Sequence, residues 1–115
     1  GQPLADLATS KSWTAVSTSG GWSTESRRTI LMGKDGKTFI LPHGGALALS
    51  NTRLAIVESA APEGASENTL YIYSLSKEGE PQLSERVTGA IVATVSDEMV
   101  IFLQITDGKA RLCRL

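Results

Sequence analysis

The feature that most constrains this chain is that it repeats itself. "GALALSNTRLAIVE", Gly45 to Glu58, is echoed by "GAIVATVSDEMVIFLQ", Gly89 to Gln104. Both begin Gly-Ala, alternate toward a serine, turn at a polar pair and enter an apolar run. Ser50, Leu54 and Val57 correspond in this alignment to Ser96, Val100 and Leu103. Lys34-Asp35-Gly36 likewise returns as Lys77-Glu78-Gly79, preceded by "RRTILM" (Arg27–Met32) in one case and "TLYIYSL" (Thr69–Leu75) in the other. "ARLCRL" (Ala110–Leu115) stands at the equivalent place at the end, and "WTAVS" (Trp13–Ser17) stands where "LAIVES" and "VIFLQI" do. A unit of about 45 residues holding several strands marks a repeat architecture.

Each segment of the unit reads as a strand. "TLYIYS" is rich in aromatic and β-branched residues, which suit a pleated surface. "ALALS" alternates in size. "VIFL" is apolar at every position, which predicts a strand covered on both sides. Asp35-Gly36, Glu78-Gly79 and Asp107-Gly108 lie between strands as tight-turn signals. Pro3–Ala8 is the one stretch with a helical reading, a single short turn. The expectation is one all-β domain over 1–115, of about 8–10 strands. Its two propeller-like antiparallel meander units cover roughly 27–68 and 69–115, with 13–26 as a partial preceding unit. With its period of about 45 residues the chain resembles β-propeller blade repeats. Propellers use about four to eight blades, so two units form a small incomplete propeller or a sandwich, or chains share one ring.

Composition then removes several functions. The net charge of −1 gives no basic field for nucleic acid. Apolar runs fall far short of the ~20 residues of a membrane-spanning helix. Cys113 is the only cysteine, so no internal disulfide forms; between Leu112 and Leu115 it reads as a buried or half-buried thiol.

"GKDGKT", Gly33–Thr38, ends like a phosphate-binding loop. That loop needs a glycine where Leu31 stands and a helix after Thr38, whereas "TFIL" is a strand. A tight turn is the better reading. His43 is the only histidine, and "PHGG" (Pro42–Gly45) has no Gly-x-Ser-x-Gly partner to make a hydrolase. It reads as a loop histidine between two strands. No set of His, Cys or clustered carboxylates predicts a metal site or a cofactor, and the chain does not read as an enzyme.

Two long polar loops remain. "STSGGWSTES" (Ser17–Ser26) carries Trp22 in its middle, and "SAAPEGASEN" (Ser59–Asn68) occupies the same position in the repeat. Loops on one edge of a rigid scaffold make a binding surface, and an exposed tryptophan is a common anchor. The predicted partner-binding residues are Ser19, Gly20, Gly21, Trp22, Ser23, Pro62 and Glu63. "GGWS" followed by "LMGKDGKTFILP" also resembles the periplasmic immunity proteins that neutralise type VI secretion amidase toxins. That resemblance implies a small non-catalytic β protein, periplasmic or secreted, that inserts a serine-bearing loop (here Ser19, Ser23 or Ser26) into a toxin's cleft. The chain departs from it by placing Trp22 directly after Gly21 and by lacking the group's disulfide cysteines. The alternatives are a carbohydrate-binding module assembling into an oligomeric propeller, with Trp13, Trp22, Tyr71 and Tyr73 stacking on sugars, and a structural domain of a larger propeller or envelope lipoprotein.

Overall fold

The computed structural model describes residues 4–18, 27–59 and 68–115. They form eleven strands and no helix, arranged as three antiparallel sheets. Sheet I holds β1 (Leu4–Thr9), β2 (Trp13–Thr18), β3 (Arg28–Gly33) and β4 (Thr38–Leu41). Sheet II holds β5 (Ala46–Leu49), β6 (Arg53–Glu58), β7 (Thr69–Ser74) and β8 (Gln82–Thr88). Sheet III holds β9 (Ala90–Val95), β10 (Val100–Thr106) and β11 (Lys109–Arg114). Every neighbour in a sheet is also a neighbour in sequence, so each sheet is a simple meander.

The all-β expectation holds, with differences of detail. There are three sheets rather than two meander units, and the sheet breaks fall at 42–45 and at Gly89. Of the Pro3–Ala8 stretch read as a helical turn, the described residues, from Leu4 on, are not helical. Leu4–Thr9 is the first strand of sheet I, because pairing with β2 supplies hydrogen bonds that a lone turn cannot.

The sheets stack face to face, with sheet II in the middle. Alternation along β6 shows how. Leu54 and Ile56 join Trp13, Ala15, Leu31 and Leu41 in one core, between sheets I and II. Ala55 and Val57 join Ala90, Val100 and Phe102 in a second core, between sheets II and III. β7 divides in the same way, Tyr71 and Tyr73 to the first core, Leu70 and Ile72 to the second. A strand with a core on each face must be apolar at every position, which "LAIV" and "LYIY" satisfy. "VIFL", read as a doubly covered strand, has only one face covered within a single chain. In β10 Val100 and Phe102 are buried against sheet II, while Ile101 and Leu103 are only half-buried on the other face.

One hydrogen-bond pattern occurs three times along the lower edge of the stack. Ser10, Ser50 and Ser96 each open a turn, their N–H groups donating to the carbonyls of Trp13, Arg53 and Met99 at 2.8, 2.8 and 2.9 Å. Each serine hydroxyl accepts from the two amides that follow: Ser12 and Trp13, Thr52 and Arg53, Glu98 and Met99. Such side-chain turns satisfy backbone donors that the ladder leaves over. The residue after the serine then ties one sheet to the sheet before it. Asn51 Oδ1 accepts from the Ser12 amide at 3.1 Å. Asp97 Oδ1 accepts from the Asn51 amide at 3.0 Å and from both the amide and the hydroxyl of Thr52 at 3.2 Å.

Candidate functional site

The antiparallel order puts 42–45, Gly89, the Asp107-Gly108 turn and the strand ends that flank 19–26 and 60–67 on the upper edge. The predicted partner-binding residues Ser19, Gly20, Gly21, Trp22, Ser23, Pro62 and Glu63 all lie outside the described residues. The strand ends that flank them are described, and so is the cluster between those ends. Segment 19–26 joins β2 to β3 and segment 60–67 joins β6 to β7, so both spring from the central strand pairs of neighbouring sheets.

Arg27, the first described residue after 19–26, is buried and donates from its guanidinium to the carbonyl of Ser59, the last one before 60–67. It also lies 4.0 Å from Glu58. Glu58 Oε2 accepts from the Gly44 amide at 3.1 Å and stands 3.7 Å from His43 Nδ1. The His43 ring stacks on Tyr71, centroids 3.5 Å apart and planes 10° from parallel. The Arg86 guanidinium sits 6.0 Å from the centroid of the same Tyr71 ring. Arg27, His43, Glu58, Tyr71 and Arg86 thus form one polar and aromatic floor, drawn from both sheets.

The crossover 42–45 is held against sheet I by two buried hydroxyls. Thr29 Oγ1 donates to the His43 carbonyl at 2.7 Å, and Ser17 Oγ donates to the Gly45 carbonyl at 2.5 Å. Gly44 fits so closely that a Cβ there would lie 2.3 Å from the Thr18 carbonyl oxygen. Burial, its largest influence, lowers the His43 pKa below 6.5. The Glu58 charge opposes that shift and the Arg86 charge adds to it. His43 is therefore mostly neutral at pH 7, a stacked and wedged side chain. Tyr73 is shifted the other way, upward from 10.0, chiefly by burial and then by Tyr71 and Glu58.

His43 is where the sequence placed it, in the crossover between two strands. The charged floor residues were not singled out in the sequence. Arg27, Glu58 and Arg86 sit at strand ends or on an outer strand, where charged residues are ordinary, and nothing local announces that three of them converge. Trp13, Tyr71 and Tyr73, considered as sugar-stacking residues, are buried in the first core. Cys113 is half-buried as expected.

The lower edge carries the "GKDGKT" stretch as the β3–β4 turn. The Gly36 amide donates to the Gly33 carbonyl at 3.0 Å, the Gly33 amide to the Lys37 carbonyl at 2.8 Å, and strand β4 follows directly. A hollow of about 290 Å³ lies beside it, lined by Ser12, Trp13, Gly33, Lys34, Asp35 and Lys77. Among the described residues no group of three or more His, Cys, Asp or Glu comes together to hold a metal ion, and no helix is long and apolar enough to cross a membrane. No family model, curated protein or solved structure matches this chain.

Proposed function

We propose that the chain is a set of propeller-like blades whose upper edge binds another protein through the 19–26 and 60–67 segments. The observation that carries this reading is the shared stem. Arg27, at the end of one segment, is bonded to the carbonyl of Ser59 at the start of the other and paired with Glu58. Two long polar segments rooted in one rigid base meet the usual requirement for a loop-built recognition surface, adaptable contacts on a fixed scaffold. Trp22 is the anchor in this reading, with Ser19 and Ser23 beside it and Pro62 and Glu63 on the second segment. The function is non-catalytic, that of an inhibitor or immunity protein, and a secreted or periplasmic enzyme is the first class of partner to test.

The test is capture of a partner from native extract, followed by titration calorimetry with that partner. Trp22→Ala is expected to weaken binding by more than about 2 kcal/mol, the cost of losing a hot-spot side chain. Replacement of 60–67 by a glycine-serine linker should weaken it further without moving the melting temperature. Binding that survives both changes within tenfold would place the interface elsewhere.

A further inference from the structure

The two outermost sheet faces are patterned like the faces that are already packed inside the molecule. Register shows this directly. Across sheet II, Leu47, Ile56, Tyr71 and Arg86 form one cross-strand row, and Ile56 and Tyr71 are buried against sheet I. Across sheet III, Ala93, Phe102 and Cys113 form the corresponding row, packed against sheet II. Counting from the serine of each turn, the same row in sheet I is Leu7, Val16, Ile30 and Ile40. It is wholly apolar, yet Leu7 and Ile40 are 60% and 64% exposed.

The opposite end of the stack has the complementary deficit. Val57 in β6 is buried against sheet III, and its counterpart in β10 is Leu103. Leu103 lines up with Val92 and Leu112, and Leu112 is 77% exposed. An open depression of about 170 Å³ on this face is lined by Val92, Thr94, Ile101, Leu103 and Leu112 among others. Apolar rows several strands wide seldom stay in water on a monomer.

We infer that these faces are covered by a second copy of this chain, sheet III of each copy packing on sheet I of the other to close a ring of six sheets. Three arguments select that occupant. The contact continues the sheet-on-sheet packing already used twice within the chain, with equivalent positions on each side. Head-to-tail contacts give either a closed ring or an endless filament, and with three sheets per chain the only closed ring within the usual four to eight blades has six. The lower-edge turns supply a charge match. Asn51 and Asp97 each reach back to the preceding turn, and Lys11 holds that position in sheet I. Across the proposed junction Lys11 meets the 96–99 turn of the other copy, where Glu98 is exposed. Arg114, on the same face near that end, opposes Lys11, so the pairing is best tested by swapping charges. This inference is independent of what the upper-edge segments bind.

The experiment is light scattering coupled to size exclusion, with melting followed by circular dichroism. The unaltered chain should run at twice its 12.2 kDa mass. Leu112→Asp and Ile40→Asp should each give a folded monomer, because both side chains are largely exposed within one chain. Lys11→Glu should weaken the dimer, and adding Glu98→Lys should restore it. A monomer at tens of micromolar, a mass above the dimer, or a dimer indifferent to Leu112→Asp would each overturn the proposal.

Discussion

Ile56→Ala tests the account of how the sheets hold together. Ile56 is fully buried in the core shared by sheets I and II, with Trp13, Ala15, Leu31, Leu41, Tyr71 and Tyr73 in the same cluster. The change removes three carbons. At about 0.8 kcal/mol per buried methylene the lost transfer energy is about 2.4 kcal/mol. A hole bounded by two hydrogen-bonded sheets relaxes little, which adds a cavity cost and places the expected loss at about 3–4 kcal/mol, within the range seen for buried Ile→Ala. Against a typical total stability of about 5–15 kcal/mol that is a large fraction. The assay is urea unfolding read by tryptophan fluorescence, since Trp13 lies in that core, and in parallel by circular dichroism. Leu83→Ala on β8 serves as control; Leu83 is about half exposed, so the same loss of three carbons should cost only about 1.2 kcal/mol. A loss below about 1 kcal/mol at Ile56 would refute the reasoning, because it would mean that the sheets are not packed through this row.

Further outcomes follow from single residues. Gly44→Ala should destabilise by about 1–3 kcal/mol or prevent folding, because its Cβ would strike the backbone of Thr18 and Arg28; an unchanged urea midpoint would show that the crossover can move. His43 has a folded-state pKa below 6.5, so the unfolded chain takes up the proton first. Its contribution is therefore present above about pH 6.5 and is lost as pH falls through the folded value; the urea midpoint should drop between pH 7 and pH 5, and His43→Gln should flatten that drop. Asp97 is held below its usual 3.8, first by the Ser50 hydroxyl and then by Thr52. Asp97→Ala should lower the melting temperature at neutral pH, and by less once the carboxyl is protonated in both states. Leu112→Asp should abolish self-association while leaving the melting curve of the monomer in place.

The strands were legible because their signals are local. Alternation, β-branched and aromatic content, and Asp-Gly turns each act over a few residues, so "TLYIYS", "ALAL" and the Lys34–Gly36 turn could be read directly. The correspondence of Ser50 with Ser96 could be seen as well, since both serines perform the same backbone-capping task. The boundaries of the sheets were less accessible. β1 carries the weak pattern "LADLAT" and is a strand because β2 lies beside it. Without it the first sheet cannot be counted as four strands.

The cluster of Arg27, His43, Glu58 and Tyr71 belongs to tertiary structure alone. Arg27 and Glu58 are far apart in sequence, and only the stacking of sheet II on sheet I brings them together with His43 and Tyr71. The sequence by itself determined an all-β chain of short meanders, because strand and turn preferences are properties of neighbouring residues. Which strand is covered twice was decided by the stack. "LAIV" and "VIFL" are equally apolar, and burial of both faces falls to β6 because it lies in the middle sheet, while β10 keeps Ile101 and Leu103 on an outer face.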